Sequence, residues 1–305
     1  MPSPMPPADD PEPLKRIRSR RSHARDRMAR SPGDLMPTID ENLHAPPYSE
    51  NGTAGALNEF AIALLSGGPV RLSIARHFHI PTTSTFAVVA AGFSVGQDSR
   101  AAVPETRLND IRRRLAAECG FPVPALLGPC YGTILIPSSS ALGRRICDLP
   151  ALLSAVVRLP TTAVAVESET ASIAEAADTA HQLLDLAIRL RKQPQLYRLS
   201  QLAVEYQITR PGPGRDHLVS LLEPLEPHPE LIHTVEGLIE QGFDRQRTAR
   251  RLCVHPNTID YRMRRISSLT GLPVTHGSHL RLYAAFTARA FVRAEQRHDS
   301  RSYLR

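Results

Sequence analysis

The sequence has no tryptophan, eight phenylalanines, seven tyrosines and only two lysines, Lys15 and Lys192, in 305 residues. Arginine therefore carries nearly all of the positive charge. Four cysteines, Cys119, Cys130, Cys147 and Cys253, are scattered without a CxxC pair. That spacing excludes a zinc ribbon and fits free thiols in a reducing compartment. No uninterrupted apolar run exceeds six residues, as in Phe86–Ala91. A bilayer-spanning helix needs about 20, and the N-terminus lacks the apolar core of a secretory signal. The expectation is a soluble, cytoplasmic protein with no membrane partner, long enough for two or three domains.

The charge is unevenly placed. Residues 1–30 carry a net +4 and residues 31–243 a net −6, whereas residues 244–305 carry thirteen arginines against four acids, a net +9. A basic end on an acidic body is the electrostatic footprint of a polyanion-binding head. A solvated basic helix face would give the same count, so the charge needs a motif beside it.

Ten of the 27 prolines fall in residues 1–52, which show neither helical nor strand periodicity. This composition predicts a disordered basic tail. Its run from Lys15 to Arg30 suits either sequence-independent phosphate attraction or plain solvation.

Residues 53–210 alternate between the two periods. Leu57, Phe60, Ala61, Leu64 and Leu65 repeat at helical spacing, and Val70–Phe78 predicts a second short helix. Thr85–Ala91 is apolar and rich in β-branched residues, hence a buried strand. Pro104 opens a helix with Leu108, Ile111 and Leu115 on one face, ending at Gly120. Short strands near Val123–Leu127 and Thr133–Ile136 flank the turn Gly128–Gly132. Asp148 is read as the cap of a helix through Val157, and Thr162–Val166 as a strand. Ser172 and Glu175 have capping-box spacing before a long helix to Leu190. A strand near Leu196–Leu199 closes the unit. The order predicts an α+β fold, helices packed on a sheet, serving as a sensor or a dimerisation platform. The segment Pro211–Gly214 then reads as a hinge, and residues 216–296 read as all-helical.

Within that all-α part the spacing is specific. An apolar stripe Leu231, Val235, Leu238, Ile239 stops at Gly242. Asp244 is a natural N-cap for a short helix, Arg245–Leu252. Three residues later Pro256 sits at the first position of a longer helix that keeps Ile259, Met263 and Ile266 on one side and ends before Gly271. A two-turn helix, a tight turn and a longer helix make a helix-turn-helix. Ala249 is small where the two helices must cross, and Val254 can fill the gap between them. The face away from Ile259 shows Asn257, Thr258, Asp260, Tyr261, Arg264, Arg265 and Ser268. The first six are candidates to read base edges, as arginine can pair with guanine and asparagine with adenine. Arg245, Arg247, Arg250, Arg251 and Arg262 are candidates for phosphate contacts.

The string Thr248-Ala-Arg-Arg-Leu-Cys-Val-His255-Pro-Asn257-Thr258-Ile-Asp-Tyr261-Arg262-Met-Arg-Arg-Ile266, then Leu269-Thr-Gly271, resembles the C-terminal domain of PucR/CdaR-type regulators. The resemblance runs densely over about Asp216–Phe291. Upstream, the order of elements resembles the GGDEF-like α/β sandwich that precedes this domain in the same family. One departure is Asp244, where asparagine is usual; both residues cap helices. The resemblance implies a transcriptional regulator that binds double-stranded DNA as a homodimer, controls a metabolic operon and responds to a small-molecule effector, with no cofactor.

Other functions are less well served. GGDEF enzymes hold Mg²⁺ with acids on the hairpin that here reads Gly128-Pro-Cys-Tyr-Gly132, which has no carboxylate, so an enzyme that joins GTP into a cyclic dinucleotide is not expected. His77, His79, Cys147 and Asp148 lack partners at ligand spacing, so no metal is expected. Ser138–Ser140 reads as a loop. A helical module that grips a protein partner without reading bases remains the alternative.

Overall fold

The structure, a computed structural model, describes residues 50–68, 72–81, 85–93, 102–273 and 276–302. The run Lys15–Arg30 lies outside the described residues. So does the expected tail, except for its last three positions, which open helix α1 (Glu50–Ser66). Next come α2 (Leu72–His77), β1 (Phe86–Gly92), α3 (Glu105–Cys119), β2 (Ala125–Leu127), β3 (Tyr131–Pro137), α4 (Ala141–Arg144), α5 (Leu149–Val157), β4 (Thr162–Ser168), α6 (Ile173–Arg189) and β5 (Leu196–Tyr197).

The strands lie in the order β2-β3-β1-β4-β5, antiparallel except for the parallel pair β4–β5. With β3 lying between β1 and β2, this is a split β-α-β arrangement. Strand β1 is central and every one of its seven residues is buried. That explains why it reads as a continuous apolar run rather than an alternating one: both faces of the sheet are covered. Ala87, Val89 and Ala91 face Leu108, Ile111 and Leu115 of α3 and Leu149 and Leu153 of α5. Phe86 and Val88 face α1 and α2 through Phe60, Leu64 and Ile74, while Ala90 meets Ala180, Leu183 and Ala187 of α6. A Cβ at Gly92 would stand 3.0 Å from Ile188 Cδ1, so the glycine lets the end of α6 close over the sheet.

Two expected caps are corrected. Asp148 makes no capping bond to α5; it is helical itself (φ −79°, ψ −14°), inside a 3₁₀ turn Ile146–Asp148, and its carboxylate lies 3.5 Å from Arg145. Ser172 likewise donates its position to a 3₁₀ turn that runs into α6, and its side chain caps nothing. A side-chain cap needs an extended backbone at the cap residue, which neither has. The serine stretch Ser138–Ser140 is a turn, as expected, and it leads into a short helix. Ser140 is extended, accepts the Gly143 N–H at 3.0 Å and starts α4.

After β5 the chain is helical: α7 (Leu199–Thr209), α8 (Pro213–Ser220), α9 (Pro229–Glu240), α10 (Arg245–Arg251), α11 (Pro256–Thr270) and α12 (His279–Ser302). Helix α7 replaces the last part of the expected strand. Its pattern is weak because Leu199 and Val204 are exposed while Leu202 is buried. Pro213, inside the expected hinge, takes the first turn of α8, where its fixed φ suits the helix.

Helix α12 serves two cores. Leu282 and Ala285 pack with Leu231, Val235 and Ile266, and Phe291 packs with Leu183, Leu184 and Ala187 of α6. Polar contacts follow the same path. Arg189 lies over the Phe291 ring, 5.4 Å from its centre. Tyr283 donates to Glu205 of α7 at 2.7 Å, and Lys192 donates to the same oxygen. Arg215 of α8 pairs with Glu295 at 3.3 Å, and Arg289 with Glu226 at 2.8 Å. Among the described residues no helix is long and apolar enough to cross a membrane.

Candidate nucleic-acid interface

Helices α9, α10 and α11 form the candidate interface. Gly242, at φ 61°, terminates α9 as expected, and Phe243 follows it in the same left-handed region at φ 63°. Asp244 then caps α10: its carboxylate accepts the Arg247 N–H at 2.9 Å. That backbone donor, foremost among its surroundings, holds the Asp244 carboxyl below the usual carboxylate range. Four residues after α10 separate it from α11. His255 caps α11 with Nδ1 accepting the Asn257 N–H at 3.2 Å, and Pro256 occupies the first turn. Gly271, at φ 69°, ends the helix.

The packing between the two helices depends on small and apolar side chains. Ala249, Ile259, Met263 and Leu238 are buried together, and Val254 and Leu252 lie against them. Thr248 is fully buried. Its hydroxyl donates to Asp244 O at 2.7 Å, and a Cβ on Gly237 would stand 3.3 Å from its methyl group. The sequence pattern missed this crossing of α9 and α10. A glycine inside an amphipathic helix costs about 1 kcal/mol relative to alanine, and that cost was the available signal.

Cys253 lies in the turn at φ 54°. The left-handed conformation costs a residue with a Cβ roughly 1–2 kcal/mol. Cys253→Val is expected to lower stability by about 1–2 kcal/mol, because a β-branched side chain suits this region least. Cys253→Gly is expected to match or exceed the parent by up to about 1 kcal/mol, its relief being offset by greater freedom of the unfolded chain. Thermal unfolding of the two variants beside the parent measures both. A Val variant as stable as the parent would count against the turn geometry.

The sequence-predicted residues divide by surroundings. Asn257, Tyr261, Arg264, Arg265 and Ser268 are exposed along one face of α11, with Thr258 and Asp260 half-buried beside them. Tyr261 is 56% exposed, an unusual position for a large ring with no packing duty. Arg247 and Arg250 are exposed on α10, and Arg247 lies 3.4 Å from the Asp244 carboxylate. Three other arginines are engaged. Arg245 donates to Asp260 at 3.0 Å, Arg251 pairs with Glu240, and Arg262 turns inward, half-buried, to donate to Thr234 Oγ1 at 3.2 Å. Among the described residues no carboxylate lies within ion-pair distance of Arg250, Arg264 or Arg265, so the charge of this surface stays uncompensated on one side of the motif.

Away from the helices, the β2–β3 turn is tied down by its backbone. Gly128 N–H donates to Tyr131 O at 2.8 Å, and Phe93 N–H donates to Cys130 O at 2.9 Å. All four cysteines are free. Among the described residues no group of three His, Cys, Asp or Glu side chains stands close enough to share a metal ion.

Residues 231–288 match the PucR C-terminal helix-turn-helix domain. The match begins in α9 and ends in α12, and so covers the cap, the crossing and the exposed face just described. No curated protein matches the chain. Among solved structures, a regulator of polyketide synthase expression from Bifidobacterium adolescentis aligns at 18% identity and a TM-score of 0.37, covering 82% of this chain and 96% of that one. A likeness at that score carries no weight for fold or function. Residues 231–288 are thus similar to the PucR C-terminal helix-turn-helix domain, a match that supports a transcriptional regulator.

Proposed function

We propose that the protein binds double-stranded DNA sequence-specifically as a homodimer, places α11 in the major groove, and controls a metabolic operon in response to a small-molecule effector. The observation that carries this reading is the exposed face of α11, where Asn257, Tyr261, Arg264 and Arg265 converge without any packing role. Thr258 lies at the same end of the helix. Arg247 and Arg250 supply phosphate contacts from α10, and Arg251 does so from its last turn. Arg262 is assigned instead to holding α11 against α9 through Thr234. A homodimer doubles a contact area that one helix-turn-helix leaves small. For an effector, the sheet domain offers a groove of about 490 Å³ between α3 and α5, floored by Leu142, Leu152 and Val156. That volume is in the range of small-molecule sites. The rim is ionic: Arg145 lies 3.2 Å from Glu118 and 3.5 Å from Asp148.

The test uses the duplex that the full-length protein enriches from a randomised pool, beside a scrambled duplex, each at two salt concentrations. Arg264→Ala and Asn257→Ala are expected to cost about 1–3 kcal/mol on the enriched duplex and little on the scrambled one. Arg250→Ala is expected to weaken both and to flatten the log–log salt dependence by about one unit. Equal losses on both duplexes for Arg264→Ala, with circular dichroism unchanged, would remove α11 as the reader. No enrichment and no salt-dependent binding would favour a module that grips a protein partner. Sedimentation of the protein–duplex complex is expected to give two chains per duplex, and a strict single chain would refute the dimer.

A further inference from the structure

The ion pair between Arg245 and Asp260 joins the two helices of the motif on the side that faces outward. Arg245 is the first residue of α10, and Asp260 lies in the second turn of α11. Arg245 Nη1 donates to Asp260 Oδ1 at 3.0 Å, with both side chains roughly half exposed. Asp260 is the only carboxylate in α11, which also carries Arg262, Arg264 and Arg265. It lies one turn from Asn257 and one turn from Arg264, half-buried at the edge of the exposed face.

A lone carboxylate there would oppose the phosphates of any DNA that α11 approached. Paired, it does something else. It draws the Arg245 guanidinium across from α10 onto the face of α11 and leaves the rest of its donor fork uncommitted by this bond. A guanidinium fixed by an acid loses less side-chain freedom when it meets a planar acceptor pair. Arg247 and Arg251 also meet acids, but on α10's own cap and on α9; Arg245 alone of the three is held by a carboxylate of α11, the helix that would enter the groove. Arg250, with no carboxylate within ion-pair distance among the described residues, is placed for phosphate.

We infer that Arg245 reads a base, in the manner of a bidentate contact to guanine, and that Asp260 is a positioning residue that holds it there instead of reading a base itself. This rests on the proposal that α11 enters the major groove of DNA.

The experiment scores sequence preference position by position. The full-length protein and its Arg245→Ala, Asp260→Ala, Asp260→Asn and double-alanine variants each select from the randomised pool, and isotherms follow on single-position substitutions of the enriched duplex. Arg245→Ala and Asp260→Ala are expected to erase preference at the same base pair, by about tenfold or more, and the double variant to erase no more than either alone. Asp260→Ala is also expected to bind scrambled duplex at least as tightly as the parent, since a negative charge is gone. Asp260→Asn keeps an acceptor and is expected to fall between; it carries the test if Asp260→Ala fails to fold by circular dichroism. Loss at a different base pair in Asp260→Ala would make Asp260 a reader in its own right and overturn the inference. So would a uniform loss on all duplexes in Arg245→Ala, with a flatter salt dependence. If the parent enriches no sequence, the base-reading proposal itself fails, and this inference with it.

Discussion

Glu205→Ala is expected to destabilise the folded chain by about 3 kcal/mol at neutral pH, seen as a shift of the denaturant midpoint at unchanged slope. Glu205 is 7% exposed, and one of its oxygens accepts from both Lys192 and Tyr283. Removing one partner of a buried pair costs about 3–5 kcal/mol. Lys192 keeps access to water, which sets the figure at the low end. The same contact predicts how stability follows pH. Burial pushes the Glu205 carboxyl up, but the hydrogen bonds from Lys192 and Tyr283 outweigh it and hold the group below its ordinary value of 4.5. Its contribution is therefore complete above the ordinary value and is lost as pH falls through the lower, folded one. Burial, then the bond to Glu205, pushes Tyr283 up from 10 to about 12. Its contribution is complete below pH 10 and is lost as pH rises toward 12. The alanine penalty should accordingly shrink on strong acidification. A penalty that stayed constant down to pH 2 would mean that the charge of Glu205 plays no part.

Ile259→Ala is expected to cost about 2–5 kcal/mol and to take DNA binding with it at any temperature where the helical domain melts. Ile259 is completely buried in a small core with Leu238, Ala249 and Met263, against which Phe243, Leu252 and Val254 are packed. Ala249→Leu tests the same joint from the opposite direction. Ala249 is 2% exposed, and extra methylenes in a filled site cost about 1–3 kcal/mol. Here they also push α10 off α11. The two variants together separate volume from chemistry. If Ala249→Leu were neutral in thermal unfolding and in binding, the close crossing of the helices would be wrong.

How much of this was legible in the sequence differs by region, and the reason is locality. Asp244, Pro256 and Gly271 act on backbone within a few residues of themselves, so their capping and turn roles follow from type and spacing alone. The stripe Ile259, Met263, Ile266 is likewise a property of one helix. Asp148 and Ser172 failed as caps because the preceding residues wind into 3₁₀ turns, which no residue identity at the cap announces. Helix α7 went unseen because its buried face is supplied by a helix some 80 positions later, as the 205–283 contact shows. The exposed face of α11 follows from helical spacing, whereas the partners of its flanking arginines do not. Arg262 looked like every other arginine until Thr234 of a neighbouring helix took it inward. The partnership of Arg245 with Asp260, fifteen positions apart, is set by the helix crossing and not by sequence spacing.

The double duty of α12 bears on how the protein can be divided. The match to the helix-turn-helix domain stops at residue 288, before Arg289, Phe291, Arg293 and Glu295. A fragment cut at that point would keep Leu282 and Ala285 in their core but expose the ends of Glu226 and Arg215 whose partners it had lost. A cut placed upstream, at the Pro-Gly segment, would keep those partners and strand Phe291 without the α6 surface it covers. Neither boundary yields a piece with all of its contacts satisfied. The smallest faithful specimen of this helix-turn-helix domain therefore includes α6 and α7, which brace its final helix.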